Sequence, residues 1–395
     1  MRIWNQIPLP YQSHYDSVEI KIVANSAAII RILNEQTKAV TLYTETRELQ
    51  KIDMTGGKLK IMVETEGKST LIYDFRLLTY GYDPNKYTWK KEEAKAPIPA
   101  IRSQYFEYNE VGYWLGTLAD GNSYLYRFTP ATISFEEVAS AKLPRDLMPA
   151  SITKDSSNTV WALTTDGKLF KTKNLNNWEQ HNTDNVALTQ LVGETTMLNG
   201  QLLFSAIGRS ATDDTYHSYS ITSEGVSEGE ALPEGFPVKE AFVHMQKQNN
   251  TSSATLYGGV TSKGTAATKS FFLSGGAQWG ETPYQKKSVL PMEGGLFLRT
   301  GLPNELFVVG GTYPDGKTTN TIMKSNDKGI TWAKLPEQNL PDGAFVARHH
   351  ASGVALGSNA ALQIYIIGGI ISGAPSQEIW HGFLDTTGGI INSYE

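Results

Sequence analysis

The chain has 395 residues, no cysteine and a formal net charge of −5. Without cysteine there can be no disulfide, thiolate metal site or Cys nucleophile, and a copper site built on a Cys–Tyr cross-link is excluded. The acidic balance, with no basic run longer than a pair such as Lys286 and Lys287, argues against a nucleic-acid partner, which needs clustered positive surface.

Thirty-six glycines, 19 tyrosines and short apolar runs point to an all-β fold of many short strands and turns. No long segment shows a helical period; residues 239–248 come nearest, and there Phe242, His244 and Gln246 alternate as a strand would. The longest apolar run, 364–371, is too short to span a bilayer. No charged leader with an apolar core follows Met1, so no secretory signal is read in this sequence.

Residues 1–82 read as a small antiparallel β-sandwich, immunoglobulin-like and short of a full domain. Strands are predicted at 18–23, 29–33, 39–43, 59–64 and 71–78, with turns at 34–36 and 66–68. The junction is Tyr80 to Asn85, where Gly81 and Pro84 break a continuing strand. From residue 86 to 395 the chain repeats. Proline-marked connectors at Pro97, Pro144, Pro233, Pro291 and Pro336 recur at about 48 residues, with one marker lost, which is the length of a four-stranded blade. The expectation is a six-bladed β-propeller, with seven blades if one of the weaker units splits. Second strands are placed at 113–116, 160–163, 202–206, 255–258, 306–309 and 363–367, and Trp178, Trp279 and Trp332 mark fourth strands. The strand at 86–91 has the same look and no blade of its own. It is expected to close the ring beside 379–383, which abolishes an open edge.

The clearest blade is 306–336. An apolar strand ends in Gly310 and Gly311, as in kelch blades, and a second leads into Ser325, Asp327, Gly329, Thr331 and Trp332. These five fit S-x-D-x-G-x-T-W, the Asp box of sialidase-like propellers. Asp327 can accept hydrogen bonds from its own turn, Gly329 can take positive φ and Trp332 can fill the space between sheets, so the box is read as structural. Residues 171–178 and 274–279 look like decayed copies.

Loops from strand two to three (117–123, 208–215, 260–268, 312–320, 370–377) share a face with those leading to the next blade (145–146, 234–240, 337–342). That face collects Arg209, Asp213, Asp214, Tyr313, Asp315 and Asp342, a set suited to a polar ligand, the alternative being that they are solvated loop residues. Arg102, Arg299 and Arg348 are placed near the starts of innermost strands, where three arginines facing one axis would clamp a carboxylate, the alternative being that they pair with Asp or Glu of neighbouring blades. His350 joins them; His349 is expected on the opposite face of the strand, so no metal site is expected. Nor does any motif call for a cofactor.

The small β domain, the junction Tyr82, Asp83, Pro84 and Asn85 leading to Trp89, and the kelch/Asp-box blades together resemble a family of exported lipoproteins of gut anaerobes, often labelled neuraminidases or galactose-oxidase-like proteins. The resemblance covers nearly the whole chain and rests on architectural motifs. It implies a cell-surface or periplasmic location and a lipid anchor absent from this sequence, and brings no established reaction with it. The favoured function is a monomeric binding or scaffolding propeller for a glycan or protein. The alternative is a sialidase-like glycoside hydrolase with a diverged site. Against the sialidase pattern, residues 99–103 share only Arg102 with the F-R-I-P motif, and no Tyr–Glu pair stands out.

Overall fold

The structure is a computed structural model describing residues 1–395 apart from 6, 7, 12, 14, 24–26, 45–48, 84, 85, 149, 150, 185, 249, 250, 275–277, 283–292, 359, 360, 385–388 and 393–395. Pro84, Asn85 and Pro291, and the middle of the decayed box at 274–279, therefore lie outside the described residues. Among the described residues there is no α-helix, and Glu337–Asn339 form a 3-10 turn. The chain divides into two compact units, Met1–Tyr87 with Leu384–Glu395, and Thr88–Phe383.

The first unit is built on a five-stranded sheet in the order Arg2–Trp4, Leu71–Arg76, Lys58–Glu64, Ile29–Asn34 and Val40–Tyr43. Pairing is antiparallel except for Arg2–Trp4, which adds parallel to Leu71–Arg76. Alternate residues of the central strands, Ile30, Ile32, Leu59 and Ile61, enter one apolar cluster, as the two-residue period of a half-buried strand requires. Ile52, Val18 and Ile20 come to the same cluster from a two-stranded ribbon, Ser17–Ile20 with Gln50–Asp53. The turn expected at 34–36 is there: Asn34 Oδ1 accepts the N–H groups of Gln36 (2.8 Å) and Thr37 (3.0 Å). The final strand, Ile390–Asn392, pairs with Leu78–Tyr80, so the last residues group with the first instead of extending a blade.

The second unit is a β-propeller, in which six four-stranded sheets follow one another along the described chain. Their first strands are Arg102–Tyr108, Thr153–Lys154, Ala187–Thr196, Phe242–Gln248, Leu296–Arg299 and Ser352–Leu356, and they are called blades 1 to 6 in that order. Blade 6 takes its second and third strands, Gln363–Ile367 and Ile379–Leu384, from the end of the repeat and its outer strand, Tyr87–Lys91, from the beginning. Glu92 N–H donates to Ile379 O at 2.9 Å, and the ring is closed as the sequence suggests.

The apolar clusters lie between sheets, not within them. Trp161, Phe204 and Tyr219 join blades 2 and 3; Val192, Phe236 and Phe271 join 3 and 4; Trp114, Phe128 and Tyr365 join 1 and 6. Each sheet has two apolar faces because it is sandwiched by neighbours, which is why its strands read as continuous apolar runs. Trp332 is 5% exposed and meets Tyr257 of blade 4 edge-on at 6.1 Å. Its turn is knit by its own side chains. Asp327 Oδ1 accepts from Ser325 Oγ and Thr331 N–H, both at 2.8 Å, and Trp332 Nε1 donates to Gly329 O at 2.9 Å. The shorter turn at 171–178 keeps the same closing bond, Trp178 Nε1 to Leu175 O at 3.1 Å. After the second strand of blade 5, Gly310 sits at φ 63°, where a Cβ would fall 2.4 Å from Arg348 O. Only glycine fits that approach.

Candidate functional site at the channel mouth

Every first strand enters from the face carrying the long loops, so the residues just before these strands surround the mouth of a central channel. Here Glu240, from the loop before blade 4, meets His350, from the loop before blade 6: His350 Nε2 lies 2.9 Å from Glu240 Oε2. His350 Nδ1 lies 2.7 Å from His349 Nδ1. Each contact needs one proton between its two atoms, so the imidazole rings act as both donors and acceptors along a chain that ends on the carboxylate.

The backbone is bent to make this meeting. Glu240 sits at φ 57° and His350 at φ 53°, left-handed conformations that cost of order 1–2 kcal/mol each for side chains with a Cβ. The surroundings impose them. Ala241 N–H donates to Gln190 Oε1 (2.9 Å) and Thr189 Oγ1 to Val238 O (2.6 Å). On the other side His350 N–H donates to Gly294 O (2.7 Å), and a Cβ on Gly294 would press on the His350 ring at 3.0 Å. Burial opposes the charge on Glu240, but the His350 bond, with His350, Lys239 and Arg102 nearby, outweighs it and holds the carboxyl below its usual range. Burial and the neighbouring His350 push His349 down.

Below the mouth is a cavity of about 160 Å³ lined by Glu240, His350, Ser103, Gln104, Tyr105 and Phe242, among others. A second space of about 460 Å³ continues the channel past Phe242 and Phe297 to Arg299. Of the residues lining the upper cavity, one is a carboxylate. The two serines there are occupied: Ser103 Oγ donates to Ser352 Oγ (2.9 Å), which also receives Trp114 Nε1 (2.8 Å). A depression of about 730 Å³ lies between blades 2 and 3 at the opposite face. Its polar groups are largely spent on each other, as in Trp161 Nε1 to Asp155 (2.8 Å) and Ser156 Oγ to Glu194 (3.1 Å).

The candidate residues are thus sorted. Arg102 and His350 come to the mouth. Arg348 does not: it is 0% exposed, bonded to Glu378 (2.9 Å), Val346 O (3.2 Å) and Gly368 O (3.2 Å), and stacked over Phe345 at 4.5 Å. Arg299 ends its strand instead of starting it, so it is about 10 Å down the channel at 3.3 Å per residue. There it lies over Phe242 and donates to Val243 O. The three arginines do not converge. Arg209 pairs with Asp214 (2.6 Å), and Asp213 is brought down to about 2 by the Thr215 side chain and N–H. Both belong to one exposed hairpin of blade 3. Tyr313 and Asp315 shape the turn at 313–317, and Asp342 caps a turn by accepting Ala344 N–H (2.9 Å). None of these lines the upper cavity. Sequence reasoning set His349 facing away, on the assumption of strand geometry; the left-handed His350 brings the rings to 4.8 Å. Glu240 had no local signal at all, since its partner is 110 residues away. No group of His, Asp and Glu among the described residues is disposed to hold a metal ion.

The family model of the DUF6242 beta propeller domain matches residues 83–393. The chain belongs to the DUF6242 beta-propeller family. Among solved structures, this DUF6242 propeller is similar to YjhT at 16% identity, over 72% of this chain and 95% of that one, with a TM-score of 0.45. It is also similar to a triple arginine-to-alanine mutant of AofleA from Arthrobotrys oligospora at 14% identity, over 78% and 92%, with a TM-score of 0.43. No curated protein matches the chain.

Proposed function

We propose that this propeller is a binding or scaffolding module of the bacterial surface or periplasm, taking a polar group of a glycan or protein at the channel mouth. The observation that carries the reading is the Glu240–His350–His349 chain, assembled from two distant loops by two strained residues. Residues held in such conformations by their surroundings cluster at functional sites. The lining supports binding over hydrolysis. Glycoside hydrolysis needs a pair of carboxyl groups about 5–9.5 Å apart, and one carboxylate lines the cavity. A sialidase-like clamp needs converging arginines, and Arg348 is committed to Glu378. The test joins glycan-panel binding with turnover of sialyl-lactose. Binding weakened at least tenfold by Glu240→Gln, without product, supports the reading; product from the wild type that vanishes in Glu240→Gln overturns it.

A further inference from the structure

Seven buried side-chain polar atoms lack a partner among the described residues, and three of them gather at one place: both ring nitrogens of His244, and Glu305 Oε1. His244 is 4% exposed and Glu305 7%. Leaving such atoms unpaired in a protein interior is costly, so their clustering asks for a cause. Both side chains line a pocket of about 190 Å³ between the first strand of blade 4 and the first hairpin of blade 5, closed by Arg299, Lys247 and Lys328. It opens on the face opposite the channel mouth. The other oxygen of Glu305 is taken by Lys324 at 2.7 Å.

The donor and acceptor pattern restricts what fits. Glu305 Oε1 accepts only, neutral His244 offers one donor and one acceptor, and Arg299, Lys247 and Lys328 donate only. Hydroxyl groups answer both kinds, while three cations around one already paired carboxylate favour a ligand with negative charge. A simple anion would leave Glu305 unsatisfied, and a neutral sugar would leave the cations unused. The volume is below the roughly 300–1,000 Å³ of drug-sized sites, which suits a single ring. We infer that this pocket binds an acidic monosaccharide of the uronic-acid class, its carboxylate toward Arg299 and Lys328 and its hydroxyls on His244 and Glu305, whose orphan atoms are covered in this structure and are reached when the two side chains turn toward the pocket.

The probes are D-glucuronate, D-galacturonate, their neutral parents glucose and galactose, and acetate, each titrated into the full chain with histidine-ring NMR as readout. A uronate is expected to shift the His244 ring signals and to bind at least tenfold more tightly than its neutral parent, with acetate inactive. Lys328→Met, at an exposed position, is expected to weaken the uronate about tenfold while leaving the fold intact, and Glu305→Gln to weaken it further. The response should persist in Glu240→Gln, which separates this pocket from the channel mouth. Silence of His244 toward both uronates, an equal response to acetate, or a uronate response unchanged in Lys328→Met and Glu305→Gln overturns the inference.

Discussion

Trp89 packs its ring against Gly382: a Cβ at position 382 would fall 2.5 Å from the Trp89 ring. The contact joins the outer strand, from the start of the repeat, to the strand contributed by its end, and Trp89 Nε1 reaches Asn339 O at 2.9 Å. Gly382 is thus the latch of the ring. Gly382→Val should cost about 1–3 kcal/mol, the range for forcing extra volume into a packed contact. Chemical denaturation of the variant beside the wild type checks this, and equal stability would mean that closure does not depend on the ring contact.

Arg348→Met separates structure from binding. Removing one partner of a buried ion pair typically costs about 3–5 kcal/mol, because the other charge is left behind. Glu378 retains Lys91, so the lower end is expected. Any ligand of the mouth should still bind the folded fraction with wild-type affinity. A folded Arg348→Met protein with wild-type stability and no binding would return Arg348 to the site.

Asp327→Ala should likewise act on stability alone, by about 1–2 kcal/mol for the turn bonds it accepts. Burial works against the Asp327 charge, but Thr331 and Ser325 outweigh it and hold the carboxyl below its usual value. The wild-type advantage over Asp327→Ala should therefore be present at neutral pH and fade as pH falls through the carboxylate range. Melting curves at several pH values are the check.

His244 gives a separate acid limb. Burial, reinforced by Arg299 and Lys328, lowers it to about 4 from an ordinary 6.5. Between those values the unfolded chain binds the proton and the folded chain does not. Stability should therefore fall as pH drops from about 6.5 to 4, by up to about 3 kcal/mol. His244→Phe removes both the proton and the unpaired nitrogens. It should raise the melting temperature and flatten this limb while abolishing any uronate response, a trade of function for stability.

The architecture was legible because its signals are local. The Asp box, the glycine pairs and the connector spacing each repeat a short sequence with its own hydrogen bonds, and Trp332 and Trp178 close their turns alike. The candidate site was legible only in part. Arg102 and His350 could be placed by their position at, or just before, the start of a first strand. Arg299 could not, because blade 5's strand begins at Leu296, three residues earlier than the sequence suggested. Arg348 looks identical on paper whether it faces the funnel or pairs with Glu378. Glu240 meets His350 through left-handed backbone that no residue type announces. The strand Arg2–Trp4 was also missed; it adds parallel to a distant edge, which no hairpin signal records.

The most direct test of the channel-mouth reading is histidine-ring NMR of the full chain during titration with glycans and peptides retained by it in panel screens. A retained ligand is predicted to shift both His349 and His350 signals, with affinity falling at least tenfold in Glu240→Gln and in His350→Ala. A ligand that binds tightly yet leaves both rings unmoved, with undiminished affinity in Glu240→Gln, would contradict the account.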